Sequence, residues 1–259
     1  MNVIYTFLRR DWRGLALPLA LFALWYAATA FEWVNIKLIV PPEKVLEAGL
    51  RYMSGKDFTE ALSNSLFRDL SGFALGGIAG ILLGLAMGLS RWTEHLVGPT
   101  FNTLKHISLF AWLPLISTWL GTDDRAKILF IALCAFYPVA LNTFEGVRNI
   151  PRAQLEVARV YRFTRWQSLT RLTLPGAAPQ ILTGLHLALI YAWMGTIGAE
   201  FLLLNSGPGL GDTVIKGRQA FNVELIIFGM LSIGLIGALF NRLAAHAETK
   251  LLAWRGHRV

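Results

Sequence analysis

Six apolar segments with almost no charge recur along the chain, each close to the length that a helix needs to cross a lipid bilayer. They cover residues 15–31, 70–90, 107–121, 128–144, 181–199 and 225–240. A membrane-spanning helix takes about 20 mostly apolar residues. Only 15% of the residues are charged, whereas about 25% is usual in soluble domains, so much of the surface must face lipid. The sequence therefore predicts an all-α membrane protein with about six transmembrane helices.

The distribution of lysine and arginine predicts the orientation of these helices. With the N-terminus in the cytoplasm, 15 of the 24 basic residues fall in inside segments, and the loop 145–180 alone holds six arginines. Because basic residues are enriched in cytoplasmic loops, we expect a multi-pass membrane protein with both termini in the cytoplasm. The net charge of +8 then reflects topology. No basic stripe with interleaved aromatic residues points to nucleic acid.

Two interpretations of the first apolar segment stay open. Basic residues at 9–13 precede it and an Ala-x-Ala motif at 28–30 follows, which is typical of a cleaved signal peptide. The length of the segment and the pair Trp25-Tyr26 favour a retained helix instead. The predicted organisation is a first helix with an outside segment at 1–59, a membrane domain at 60–250 and a cytoplasmic tail at 251–259.

The second apolar segment carries a glycine at every fourth position. The five residues are Gly72, Gly76, Gly80, Gly84 and Gly88. Positions four apart lie nearly above one another on a helix, so the glycines form one slowly winding stripe. Helices in lipid associate by close packing, which small residues permit. The stripe is therefore predicted to be a packing face, against either a helix of this chain or a second copy.

The cytoplasmic loop 145–180 is long for a connection between membrane helices. Pro151 suits the first turn of a helix, and the following apolar residues share one face at helical spacing. These are Ala153, Val157, Val160 and Tyr161. A second short helical stretch is expected from Arg165, ending at Leu174-Pro175. The first amphipathic helix could rest at the lipid interface or dock into a groove on a partner.

Three stretches of this loop match a known motif. They are Glu156-Val157-Ala158-Arg159, Arg165-Trp166-Gln167 and Leu172-Thr173-Leu174-Pro175. Together they resemble the EAA loop of binding-protein-dependent ABC import permeases, which has Glu-Ala-Ala, then a glycine, then a hydrophobic pair closed by Leu-Pro. Further motifs, in order from about residue 60 to 255, resemble the nitrate, sulfonate and taurine branch of that family. Among them are residues 72–76, 88–91, 113–115, 199–200 and 207–211.

The resemblance implies a type I ABC importer permease fold in a bacterial inner membrane, with 60–250 as the transmembrane domain and the short helix as a cytoplasmic coupling helix. It also implies a homodimer, two copies of a separate subunit that binds ATP and Mg, and a periplasmic substrate-binding protein. The residues implied to contact the ATPase are Leu155, Glu156, Val157, Ala158, Arg159, Val160, Tyr161, Arg162, Leu174 and Pro175.

Two positions depart from the family pattern. Val157 stands in the middle of Glu-Ala-Ala, and Arg162 replaces the glycine that follows. Since glycine adopts a tight turn more readily than other residues, the coupling helix is expected to run one turn longer here. Arg162 would then contact the partner.

Candidates for a translocation path lie in the fifth apolar segment. Trp193 and Met194 are in its middle, although packing would explain them equally well. Glu200 at its edge is a candidate because an ionisable group at membrane depth is costly and usually functional. A position near the helix end would also let Glu200 reach interfacial water. For His186 we favour a hydrogen-bonded packing role over ligand binding.

The chain has no Gly-x-x-x-x-Gly-Lys-Ser/Thr phosphate loop, so energy must come from a partner or from a gradient. We expect no enzymatic activity, cofactor or metal in this chain. By resemblance it is the permease of an ATP-driven importer for a small sulfonate, taurine, nitrate or a related anion. The alternatives are a gradient-driven secondary transporter, or a permease of the same branch for an uncharged heterocyclic compound.

Overall fold

The computed structural model describes residues 13–35, 39–203 and 207–253, and helices account for most of them. The helices are α1 (Arg13–Ala30), α2 (Pro42–Ser54), α3 (Lys56–Leu89), α4 (Arg91–Leu104), α5 (Leu113–Leu120), α6 (Asp124–Arg148), α7 (Arg152–Val160), α8 (Arg165–Gln167), α9 (Leu174–Leu202), α10 (Leu210–Gln219) and α11 (Val223–Leu251). A 3-10 helix at Leu109–Trp112 leads into α5, and a π-helical segment at Ser168–Thr173 joins α8 to α9. The basic residues Arg9 and Arg10 and positions 254–259 of the predicted tail lie outside the described residues.

Within the described ranges, four helical stretches are long and apolar enough to cross a membrane: Lys56–Leu89, Asp124–Arg148, Arg165–Leu202 and Val223–Leu251. The first and third predicted spans correspond to shorter apolar helices, Ala16–Ala30 and Leu109–Leu120. The third is short because a 3-10 turn begins it and Gly121, at a φ of 76°, ends it. The all-α membrane architecture is confirmed, and four of the six predicted spans have full length.

Close packing between α3 and α6 forms the centre of the described bundle. The glycine stripe of α3 faces α6 of the same chain: a Cβ at Gly76 would collide with the carbonyl oxygen of Ala132, and one at Gly88 would lie 2.7 Å from Cβ of Val147. The two backbones thus approach more closely than larger side chains allow. On its other side α6 packs against α9, around a fully buried cluster that includes Val139 and Ala188.

Helix α11 lies at the periphery of this bundle, since only 17% of its most apolar part is buried. It contacts α9 through Trp193, whose indole N–H donates to the carbonyl oxygen of Ile233 at 3.1 Å. It contacts α2 through Phe228, which packs on the bare backbone of Gly49. Helix α1 stands outside these elements, and the Trp25 indole N–H donates to the carbonyl oxygen of Val40 at 3.1 Å.

Candidate functional site

The predicted coupling helix is present as α7, and its start follows from local backbone chemistry. Pro151 precedes the first helical residue and its carbonyl oxygen accepts the N–H of Gln154 at 3.0 Å. The preceding helix α6 is fixed at its end, because Arg148 Nη1 pairs with Glu94 Oε1 of α4 at 2.6 Å. The loop therefore leaves the membrane bundle from an anchored point.

The end of α7 differs from the expectation of a longer helix, which was wrong. The helix stops at Val160, and Arg162 adopts a left-handed conformation with a φ of 50°. The N–H of Phe163 then donates to the carbonyl oxygen of Ala158 at 3.0 Å, the backbone pattern that closes many helices. The tight turn of the family motif is thus retained although glycine is replaced, because the closing hydrogen bonds outweigh the cost of a left-handed arginine.

The large apolar side chains at positions 155–161 are exposed. Ala158 is buried, whereas Val160 is 80% exposed and Tyr161 is 74% exposed, and Val157 is also exposed. Glu156 and Arg159 are exposed beside them. Such a mixture of apolar and charged exposed side chains is typical of a docking surface with a charged rim. We refer to residues 155–162 as the α7 surface.

The chain returns to the membrane without the break that was predicted at Leu174-Pro175. Thr164 and Gln167 form a reciprocal capping box, with backbone-to-side-chain distances of 2.9 and 3.2 Å. The π-helical segment follows, and the N–H of Leu174 bonds back to Leu169. Pro175 sits in the first turn of α9, where its missing N–H costs least. A continuous helical stretch, Arg165–Leu202, therefore links the α7 surface to the far end of the membrane.

At that far end, Glu200 is fully buried and belongs to a polar cluster. Its Oε1 accepts hydrogen bonds from Ser65 Oγ at 2.7 Å and from Arg68 Nη1 at 2.9 Å. Its Oε2 accepts the backbone N–H of Gly211 at 2.8 Å, so the carboxylate also caps the positive end of α10. Arg68 Nε in turn donates to Asp124 Oδ1 at 2.8 Å. We call these groups the Glu200 cluster.

Two glycines make the approach of α10 to this carboxylate possible. A Cβ at Gly209 would overlap the carboxylate of Glu200, and one at Gly211 would lie 2.8 Å from its Cβ. Ser65 Oγ also accepts the N–H of Leu210 at 3.0 Å. The 199–200 and 207–211 motifs therefore meet in space, and the cluster joins α3, α6, α9 and α10.

The three predicted path residues occupy different surroundings. Glu200 is enclosed in the cluster, and Trp193 is buried against α11. Met194 is 63% exposed. His186 hydrogen-bonds Asn241 at 2.8 Å and lies 3.3 Å from Glu248, which links α9 to α11 as a packing role requires. Among the described residues, no group of His, Cys, Asp and Glu could hold a metal ion.

Sequence reasoning missed the partners of Glu200. Neither Arg68 nor Asp124 was singled out from the sequence. The available signal was that Arg68 and Asp69 directly precede the second apolar segment, where a charged pair is costly without partners. Asp69 does have one, since Thr196 Oγ1 donates to its Oδ1 at 3.0 Å.

Comparison with known proteins gives a consistent result. The model of the family described as binding-protein-dependent transport system inner membrane component matches residues 76–251. A protein of Bacillus subtilis (strain 168), named "Putative aliphatic sulfonates transport permease protein SsuC", is 33% identical over 95% of this chain and 89% of its own. The taurine transport system permease protein TauC of Escherichia coli (strain K12) is 29% identical, over 91% of this chain and 87% of its own.

The fold also resembles a solved transporter structure. A chain from the inward-facing MetNI methionine ABC transporter aligns with a TM-score of 0.59 over 71% of this chain and 93% of its own. The two sequences are 17% identical, so this likeness concerns the fold alone.

Proposed function

The chain belongs to the family of binding-protein-dependent transport system inner membrane components, and we propose that it forms the path for a small anion and is driven through α7 by a separate ATPase. Membership makes it the permease component of an ABC transporter, which is not itself catalytic. Such a system includes an ATP-hydrolysing subunit and a substrate-binding protein. The assignment of roles to residues of this chain is the proposal.

The observation that carries the proposal is the exposure of apolar residues on α7. Val160 and Tyr161 stay uncovered while Ala158 is buried. In the proposed complex, these two side chains enter a groove on the ATPase, with Leu155 and Val157 beside them. Glu156, Arg159 and Arg162 form the charged rim. Burial of two such side chains would contribute roughly 3 kcal/mol to docking before the costs of association.

The continuous helical stretch Arg165–Leu202 gives the docked surface a mechanical route across the membrane. When ATP closes two ATPase subunits, each moves one α7 surface as a rigid body. Leu174 and Pro175 lie in the first turn of α9, so the displacement enters that helix. The Glu200 cluster holds the opposite end of α9 to α3, α6 and α10. The bundle therefore rocks as a unit, and access alternates between the two sides.

We place the path between two copies of the chain, along the exposed face of α9. Met194 and Tyr191 are about half exposed or more and lie on that face. Trp193 and Glu200 are buried within each copy and influence the path indirectly. Trp193 does so through its contact with α11, and Glu200 does so through the Glu200 cluster. A homodimer follows from this arrangement, because one copy offers the path only one wall.

A small oxyanion is the proposed substrate class. Similar proteins are named for aliphatic sulfonates, taurine, bicarbonate and nitrate, which are anions or carry an anionic group. The binding protein and the path would share the selection among them.

The proposal is tested by co-purification of the cognate ATPase with variants of this chain. Tyr161→Ala removes a 74% exposed aromatic side chain from α7, and Phe221→Ala removes a 91% exposed one at the opposite end of the bundle. We expect the first change to lower ATPase recovery at least several-fold and the second to leave it unchanged. Equal recovery with both variants would refute docking through α7.

A further inference from the structure

An apolar groove of about 560 Å³ lies between α1, α2 and α11. Its walls include Phe22 of α1, Leu46 of α2, and Phe228, Leu231 and Leu235 of α11. Apart from Phe228, each of these side chains is at least half exposed. The described part of the chain therefore lines the groove but does not fill it.

Water is an unsuitable occupant. Filling the volume would take roughly 19 molecules at about 30 Å³ each, and each buried water needs two to four polar partners. The lining offers few free polar groups. The indole N–H of Trp25 already donates to the carbonyl oxygen of Val40 at 3.1 Å, and the hydroxyl of Ser232 donates to the carbonyl oxygen of Phe228 at 2.9 Å. An empty groove would forfeit the dispersion contacts of its whole lining. The occupant must be apolar.

The position of the groove favours hydrocarbon chains as its occupant. Its α11 wall runs from Phe228 to Leu235, a rise of roughly 10 Å. This lies in the central part of the apolar stretch 225–240, and so within a hydrocarbon core about 30 Å thick.

One carboxylate stands at the mouth of the groove. Glu43, in the first turn of α2, lines it and is exposed, and no ion pair is formed by it within the described residues. The neighbouring Lys44 lines a separate polar pocket with Glu47 and Arg51 instead. A carboxylate beside an apolar groove complements a cationic group on an amphiphile and repels an anionic one.

We propose that this groove binds one acyl chain of a phospholipid with a primary-amine headgroup, taken from the leaflet on the α2 side. The lipid fills the space between α1 and α11, and Glu43 contacts its ammonium group. The first helix is thereby attached to the bundle through a lipid as well as through Trp25. This site is separate from the α7 surface, so its test does not depend on coupling to an ATPase.

The test is native mass spectrometry of the full chain after purification in mild detergent. Leu231→Trp and Leu235→Trp fill the groove with protein, whereas Leu239→Trp adds the same bulk farther along α11, at a leucine of similar exposure that does not line the groove. We expect one tightly retained phospholipid on the wild type and on Leu239→Trp, and its loss from both groove variants. Retention by the groove variants, or no retained lipid on the wild type, would overturn the proposal.

The headgroup is tested in nanodiscs that contain equal amounts of phosphatidylethanolamine and phosphatidylglycerol. After transfer of the protein from the nanodiscs into mild detergent, the wild type should retain mainly phosphatidylethanolamine. Glu43→Gln should still retain a lipid but without that preference. An unchanged preference in Glu43→Gln would contradict the role of the carboxylate. A wild-type preference for phosphatidylglycerol would contradict the proposed ligand class.

Discussion

At the scale of single residues, the chain tolerates a costly backbone conformation where its family motif has glycine. A left-handed conformation costs an ordinary L-residue roughly 1–2 kcal/mol. Arg162 adopts it at a φ of 50°, and the closing bonds of α7 hold it there. The guanidinium is exposed at the edge of the α7 surface. The strain is thus located where the proposed partner docks, as is common at functional sites.

Arg162→Gly should therefore raise stability and weaken coupling. We expect a gain of about 1 kcal/mol in the free energy of unfolding, because glycine relieves the left-handed strain. Thermal unfolding in detergent measures this gain, and ATPase stimulation in proteoliposomes measures coupling. Arg162→Ala is the control, since it removes the guanidinium but keeps the strain. A lower unfolding temperature for the glycine variant than for the alanine variant would contradict this account.

The buried ion pair in the Glu200 cluster stabilises the fold, whereas the left-handed conformation of Arg162 destabilises it. Arg68 is 1% exposed and Glu200 is fully buried. Removing one partner of such a pair leaves the other charge uncompensated, which typically costs about 3–5 kcal/mol. Arg68→Met should therefore destabilise strongly in thermal unfolding. The double variant Arg68→Met/Glu200→Gln should recover part of the loss, because the fully buried carboxylate of Glu200 is then no longer left without Arg68. A double variant that is additive with its parents would argue against a direct pair.

At the scale of helices, the spacing of glycines predicted a packing face, and the structure supplies the partner. Gly76 and Gly77 are adjacent in α3 but meet different surroundings. A Cβ at Gly76 would collide with the backbone of α6, whereas one at Gly77 would make an ordinary 3.4 Å contact with Leu185. Each residue is thus a matched control for the other.

Gly76→Ala should lower the free energy of unfolding by about 1–3 kcal/mol, the usual cost of overpacking. Gly77→Ala should be neutral or slightly stabilising, since alanine favours the helix. Thermal unfolding of both variants in the same detergent measures the difference. Equal effects at the two positions would show that α3 does not pack on α6 through this stripe.

Some helices could be predicted from sequence and others could not, for a physical reason. Long apolar segments identify α3, α6, α9 and α11 because lipid imposes their length. The continuity of α8, the π-helical segment and α9 could not be seen, because Leu174-Pro175 in the sequence indicates a break. A proline in the first turn of a helix has the same signature as one that terminates it. The pairing of Glu200 with Ser65 and Arg68 could not be predicted either, since these residues are distant in the chain.

At the scale of the whole molecule, the two polar features occupy opposite ends of one helical stretch. The α7 surface precedes Arg165–Leu202, and Glu200 lies close to the end of that stretch. At 1.5 Å per residue, a helix of this length is long enough to cross the membrane. The α7 surface and the turn at Phe221, which precedes α11, are consequently expected on different sides of the bilayer. The proposed coupling requires the α7 side to be the cytoplasm.

This arrangement is tested by labelling single cysteines with a membrane-impermeant maleimide. Tyr161→Cys and Phe221→Cys replace side chains that are 74% and 91% exposed, whereas the native Cys134 is buried. In intact spheroplasts, Phe221→Cys should react and Tyr161→Cys should react only after lysis. In inside-out vesicles the order should reverse, and the unmodified chain should stay unlabelled in both. Labelling of Tyr161→Cys from the periplasm would place the α7 surface beyond the reach of any cytoplasmic ATPase, and coupling through it would be impossible.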